Sequence, residues 1–346
     1  MSLRLRIHRL IHWEYWPVWM IYGPILPVWL FYSLRTRSLF FFSTSNPTFK
    51  NGGMAMESKK EIYDLIPEQF IPRTILVHTS NHPRGILSKI SRAGIRFPLI
   101  AKPDIGMKAF AVDVIKDEKA LWKYAEKMQG SYLIQQLISY PKEIGIFYYR
   151  FPKKDTGHIS GMVEKEFLTI TGDGINTMRR IVKNESRGAM RMKELQKLYG
   201  ERLIEVLPAG EKFILVPYGS HTRGARFVDV TKELNTQLFQ TIDAICRKVP
   251  GFYYGRLDIR YNTMEELSEG KNFSIIEING AGSEPTHIYD PRHSIFFAWR
   301  EIIRHWKILF RISTMNNARG YSYLSFAAGW KMIIENNRLE ERLKSI

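Results

Sequence analysis

Two short runs carry the groups best suited to chemistry: Gly255–Tyr261 (GRLDIRY) and Phe273–Gly280 (FSIIEING). Both mix apolar and polar residues in the manner of strands, on which side chains two apart share a face. Arg256 is two residues from Asp258, and Glu277 is two from Asn279. If the strands pair, two carboxylates and an amide oxygen converge where a hard cation could sit. Mg²⁺ takes oxygen ligands, usually one or two carboxylates together with substrate phosphates. Arg256 beside them could neutralise charge developing on a transferring phosphoryl group or on a tetrahedral intermediate. The competing reading is the solvent-facing side of a half-exposed sheet.

Elements to position these groups are legible between residues 59 and 291. Strands are expected at 96–102, 132–138, 143–151, 212–218, 252–261 and 272–278, the third rich in β-branched and aromatic residues. Helices are expected at 117–129, opened by an acidic first turn, and at 231–249. Strands and helices that alternate in this way predict the α+β class, with α/β as the alternative, built on mixed sheets. Gly52-Gly53 and Gly172-Asp173-Gly174 read as turns, and the acidic stretch 263–272 as an exposed hairpin.

In order, these elements resemble the ATP-grasp superfamily, especially the D-alanine–D-alanine ligases, with features of cyanophycin synthetase. The matching residues cover about 58–291. Pro98-Leu-Ile-Ala-Lys102-Pro103-Asp-Ile-Gly106 is similar to the family's strand ending in Lys-Pro before a loop over the triphosphate. The resemblance implies that Lys102 contacts phosphates and that Gly106 frees the loop. Gln135, Gln136 and Ile138 match the hinge that brackets adenine, and Glu143 the ribose carboxylate. Lys59 resembles the first ATP lysine, Arg256-x-Asp258 the family's Arg-x-Asp, and Glu277-x-Asn279 its metal motif. By the same resemblance Asp258, Glu277 and Asn279 would hold Mg²⁺, with Mn²⁺ as an alternative, while Arg256 and Lys102 would act in catalysis. Residues 171–177 and 219–231 resemble two segments of cyanophycin synthetase, which would put His221 and Arg223 near the substrate. Gly282, Ser283 and Glu284 fall in the family's substrate loop, and Glu284 suits a cationic or amine-bearing acceptor.

The chain departs from the pattern in three places. Its phosphate loop (DIGMKAF) has fewer small residues, its hinge has Gln135 for Glu, and the family's N-terminal α/β domain has no counterpart. Residues 1–50 are instead basic and apolar. Expected domains are therefore a membrane-associating segment at 1–50, an ATP-grasp domain at 51–291 and basic amphipathic helices at 292–346.

Charge distribution supports that division. Of a net +17, residues 1–50 carry +5 and residues 291–346 carry +6, and both segments are rich in aromatics. Anionic lipid accounts for both features. A nucleic-acid partner is not expected, because no zinc pattern, helix-turn-helix or single-strand platform accompanies the charge. Residues 15–34 carry no charged side chain and, as a helix, would be about 30 Å long. Pro17, Pro24 and Pro27 interrupt the run, while Trp13, Trp16, Trp19 and Trp29 with Tyr15, Tyr22 and Tyr32 suggest an interfacial belt. A kinked, monotopic or re-entrant insertion with both ends cytoplasmic is the expectation, and an arm packed on its own domain the alternative. Residues 294–312 read as an amphipathic helix, with Phe296, Trp299, Ile303, Trp306 and Phe310 on one face.

The single cysteine, Cys246, excludes a disulfide framework and reads as a core residue, and the histidines lack metal spacing. The expected activity is ATP-dependent activation of a carboxylate for attack by an amine. Its substrates would be small or lipid-linked, at the cytoplasmic face of a cell membrane. A small-molecule kinase and a non-catalytic nucleotide-binding membrane protein are the alternatives.

Overall fold

Pro17, Pro24 and Pro27 each stand at a helix start, where the missing N–H has no intrahelical acceptor to lose. They divide the apolar N-terminal run into short pieces. In the computed structural model, which describes residues 3–78, 83–216, 219 and 224–345, these include α2 (Val18–Tyr22) and α3 (Leu26–Thr36), and α1 (Leu3–Ile11) precedes them. The chain continues through α4 (Lys59–Tyr63), β1 (Thr74–Val77), α5 (Pro83–Arg92), β2 (Leu99–Pro103), β3 (Asp113–Ile115), α6 (Glu118–Lys127) and β4 (Tyr132–Gln136). Next come β5 (Lys142–Tyr149), β6 (His158–Glu166), β7 (Leu168–Thr171), α7 (Met178–Asn184), α8 (Ser186–Met190), α9 (Met192–Tyr199), β8 (Lys212–Val216) and β9 (Arg226–Asp229). The rest is α10 (Thr236–Lys248), β10 (Tyr254–Tyr261), α11 (Met264–Ser268), β11 (Phe273–Asn279), α12 (Ile295–Asn317) and α13 (Phe326–Lys344).

Among the described residues three sheets form, in the orders β1-β4-β2-β3, β11-β10-β5-β6-β9 and β7-β8. Every strand pairing among the described residues is antiparallel, so the sheets are not mixed as expected. The class is a mixed α and β chain in which helices cover antiparallel sheets. Alternation along the five-stranded sheet sorts its faces. Ile144, Ile146, Tyr148, Leu257 and Ile259 pack on Leu238, Ile242 and Cys246 of α10. The opposite face begins with charged residues and ends in aromatics, where Phe147 and Tyr254 meet Phe41, Phe42, Ile308 and Leu309. That second core mixes residues before 50, from the middle and after 291.

Two expected helix starts coincide with real caps: Asp117 accepts from the Ala120 N–H at 2.8 Å, and Ser294 caps α12, whereas the helix expected from 231 begins at Thr236 with Asn235 as its cap. The acidic stretch 263–272 is not a plain hairpin. Thr263 caps the single turn of α11, whose Leu267 and Ser268 are buried.

The aromatic belt at the N-terminus belongs in good part to the packing of this segment on its own domain. Trp13 is buried, stacks on Tyr289 at 5.4 Å and donates its indole N–H to the His293 carbonyl. Trp29 meets Trp306 edge-on at 5.1 Å, and the Trp299 indole donates to the Ile21 carbonyl. Trp19 remains exposed. Among the described residues no helix is long and apolar enough to cross a membrane.

Asn46 ties this segment to β10. Its amide donates to the carbonyls of Gly52 and Tyr254 and accepts from the N–H groups of Tyr253 and Tyr254, all between 2.8 and 3.0 Å. Asn46→Ala would strand four backbone groups in a buried place. We expect it to lower stability by roughly 3 kcal/mol in urea unfolding, and an unchanged midpoint would show that the tie is not structural.

Candidate functional site

Local sequence explains how β10 and β11 present their polar groups. Asp258 faces Glu277 and Arg256 faces Asn279 across the pair, but Ile259 faces Ile275. Ile276 is therefore the extra residue of a β-bulge. Without it Ile275 and Glu277 would share a face; with it Ile275 enters the core and Glu277 joins Asp258. The bulge also frees the Ile276 carbonyl, which accepts from the Tyr63 hydroxyl and, at 3.4 Å, from the Lys102 ammonium.

Asp258 is the centre of a ladder of alternating charge. Arg256 grips both its oxygens at 2.9 Å, and Lys165 of β6 reaches Oδ1 at 2.9 Å. Lys165 also binds Glu143 at 2.9 Å, which in turn meets Arg260 at 3.2 Å. Burial alone would raise the Asp258 pKa, but Arg256 and Lys165 outweigh it and hold the carboxyl well below its usual range. Gly145, opposite Asp258, makes the space: a Cβ there would lie 3.2 Å from Oδ1 and 3.3 Å from the Arg256 side chain.

Lysines from outside this sheet close the site. Lys102, buried at the end of β2, donates to the Tyr63 hydroxyl at 2.7 Å. Desolvation lowers its pKa to about 8, with Glu277 opposing. Lys59 lies 3.4 Å from Glu277 and donates to the Gly106 carbonyl at 2.8 Å. Its helix is docked to the start of the loop, because Asp104 accepts from the Ser58 hydroxyl and the Lys60 N–H at 2.9 Å. Burial favours the neutral form of Glu277, yet Lys59, Lys102 and Arg256 together depress its pKa despite Asp258 nearby.

Lys59, Lys102, Arg256, Asp258, Glu277 and Asn279 thus meet in one place. Gln135 is buried beside it and acts on Tyr63, though its amide donates to Thr74 at 2.8 Å. Gln136 is exposed and Ile138 half-buried after β4. Glu143 is engaged by two cations. Gly282 is held by its N–H on the Gly53 carbonyl, and Ser283 donates to the Asn279 carbonyl. Glu284 accepts from the hydroxyls of Tyr22 and Tyr289. His221 and Arg223 lie outside the described residues.

Sequence reading missed Lys165, Gly145, Tyr63 and Glu57. Lys165 carries the alternation of β6, a strand obscured by its central glycine. Glu57 precedes α4, and burial raises its carboxyl despite nearby Lys59.

No cluster of three or more His, Cys, Asp and Glu at metal-binding spacing occurs among the described residues. Two carboxylates and an amide oxygen on one strand pair still match the donor chemistry of Mg²⁺, which completes its shell with water and phosphate. Arg256 now occupies both Asp258 oxygens, so a cation there requires it to turn away.

No family model matches the sequence, and no curated protein matches it. Among solved structures it is similar to a D-alanine–D-alanine ligase from Bacillus anthracis, at 13% identity over 78% of this chain and 70% of that one, with a TM-score of 0.44. It is similar to VanG D-Ala:D-Ser ligase from Enterococcus faecalis, at 12% identity over 75% and 62%, with a TM-score of 0.43. A bifunctional glutathione synthetase from Pasteurella multocida gives 13% over 75% and 38%, with a TM-score of 0.40. The chain spans less than two thirds of the last two. All three are ligases or synthetases by name.

Lys165→Met would leave Asp258 and Glu143 facing each other without the cation between them. We expect a loss of about 3 kcal/mol at pH 7. Asp258, depressed when folded, contributes stability above its unfolded value near 3.9, and the contribution fades as pH falls. The mutant's deficit should therefore hold down to that value and shrink below it, at about pH 2.5. Urea unfolding at both pH values tests this, and a deficit that grows with acid would contradict the ladder.

Proposed function

We propose that this chain is an ATP-grasp ligase that activates a carboxylate with ATP and passes the acyl group to an amine. The observation that supports this best is the meeting of two lysines, one from α4 and one from the β1–β4 sheet, with the acidic β10–β11 pair of a different sheet. Two sheets that present cations and carboxylates to one space suit a triphosphate with a divalent cation.

In this reading Lys59 and Lys102 bind phosphate oxygens, and the 104–112 loop lies over them. Asp258, Glu277 and Asn279 would hold Mg²⁺, which would supply charge neutralisation for the phosphates. A substrate carboxylate oxygen attacks the γ-phosphorus, the bond to the β–γ bridging oxygen breaks, and ADP leaves with that electron pair. The amine then attacks the acyl carbon, and phosphate departs as the amine loses a proton. Arg256, released from Asp258, stabilises the oxyanion of the tetrahedral species. Such catalysis works by positioning and electrostatics and needs no nucleophilic side chain. Glu284, held by two tyrosine hydroxyls, suits recognition of the amine. We place the substrates at a membrane surface, lipid-linked or lipid-adjacent, because the apolar N-terminal segment borders the 280–284 loop.

Calorimetry tests the nucleotide reading. ATP should bind only with Mg²⁺, and Glu277→Gln should weaken it by at least about tenfold. Phosphate favours the charged form of Lys102, whose pKa of about 8 in the free protein should rise on binding. Affinity should hold below pH 8 and fall above it by up to about tenfold per unit, with proton uptake on the alkaline side. Wild type that is folded yet binds no ATP would rule the reading out. Turnover to ADP with a phosphorylated, unjoined product would make the chain a kinase.

A further inference from the structure

Two helices from opposite ends of the chain leave apolar stripes uncovered side by side. On α3, Leu26, Leu30 and Leu34 recur every four residues, and on α13 Phe326, Trp330 and Ile334 do the same; all six are between 38% and 77% exposed. Residues four apart lie on one side of a helix. Leu30, Leu34 and Phe326 line a shared groove of about 780 Å³, and Phe326, Trp330 and Ile334 line an adjoining hollow of about 530 Å³. The apolar surface is therefore continuous across the two helices.

Arg37 lines the groove, Lys331 and Arg338 line the hollow, and Arg35 is exposed on α3. Glu335, the acid on the hollow's lining, lies 3.8 Å from Lys331. An apolar face with an exposed tryptophan and a basic rim fits the boundary of an anionic bilayer.

The far half of α13 meets the other working part of the molecule. A Cβ on Gly329 would overlap the Phe40 ring, so the helix is seated closely at this point. Farther along, Leu339 and Leu343 are buried, and Leu343 lies against Gly106. Glu340 accepts from Lys108 at 2.8 Å and from Lys344 at 2.8 Å, and Lys344 stands over the Phe110 ring. Gly106, Lys108 and Phe110 belong to the loop between β2 and β3. One helix thus carries an uncovered lipid-like face on its first half and holds that loop with its second.

We propose that α3 and α13 form a docking face for an anionic lipid surface, and that α13 transmits docking to the 104–112 loop. Immobilising the exposed half restrains Glu340 and Leu343, and the loop becomes less mobile. The functional meaning of this link rests on reading that loop as the phosphate loop; the docking itself does not.

The full chain is sedimented with phosphatidylcholine vesicles, with or without phosphatidylglycerol, and amide exchange of 104–112 is followed in parallel. Binding should need phosphatidylglycerol and slow loop exchange several-fold. The double charge reversal Lys331→Glu, Arg338→Glu, at exposed positions, should weaken binding at least about tenfold. Glu340→Gln should still bind vesicles but lose most of the slowing. Binding that ignores lipid charge, or survives the double reversal, would overturn the docking face. So would a face buried by self-association, seen as dimers in sedimentation that do not bind vesicles. Unchanged loop exchange on bound vesicles would overturn the link. No nucleotide is used, so a failure of the ATP reading is seen separately.

Discussion

A buried carboxylate stays ionised only where cations replace the water it has lost, and Asp258 sets that demand for the whole site. Its two oxygens receive Arg256 and Lys165, which come from different strands of one sheet. Lys165 must then be balanced by Glu143, and Glu143 by Arg260. The ladder fixes which faces of β5, β6 and β10 can be apolar, and so where α10 packs. It also explains Gly145, since any side chain opposite Asp258 would occupy the space the charges need. The face is costly to build and is satisfied pair by pair, as expected where charge is kept for use rather than for stability.

The bulge at Ile276 solves a second problem. Strand β11 must supply Ile275 to a core and Glu277 to a polar face, although strict alternation puts residues two apart together. One inserted residue reverses the alternation midway. The same insertion exposes a carbonyl to which Tyr63 and Lys102 attach, so the device that turns Glu277 outward also joins two sheets. Lys102 is thereby fixed near Glu277 without a direct ion pair. Its ammonium lies in a dry place, where burial lowers its pKa to about 8 against the pull of Glu277.

Much of this was legible in the sequence, and the limits are physical. Strands β4, β5, β10 and β11 announce themselves because one face is apolar, and Arg256, Asp258, Glu277 and Asn279 stand out as polar groups inside them. Helices α6 and α12 are marked by Asp117 and Ser294 as caps. Strands β1, β3, β7 and β9 are three or four residues long, too short for periodicity to register. Lys165 sits in a run of alternating charges that reads equally well as an exposed edge. The aromatics before residue 50 show why composition misleads: an interfacial belt and an intramolecular packing surface use the same residue types. Only a partner distinguishes them, and Trp13, Trp29 and Tyr22 have partners more than 200 residues away in two of the three cases by hydrogen bond.

Those distant partners give the N-terminal segment its place in the argument. Asn46 joins it to β10, and the Gly52-Gly53 turn adopts positive φ angles of 69° and 75° that let its carbonyls meet the 280–282 backbone. A Cβ on Gly280 would fall 2.6 Å from the Gly52 carbonyl oxygen, so the two strips of backbone touch without side chains between them. Tyr22 completes the contact through Glu284, whose charge adds to those of Asp258 and Glu277 in raising the Arg256 pKa. The segment is therefore a wall of the site as well as a surface of the molecule. Its inner residues reach the loop that follows Asn279, while Leu30 and Leu34 face outward beside α13. A chain that places the same twenty residues against both its polar centre and its outer apolar stripe has little freedom to alter one without moving the other.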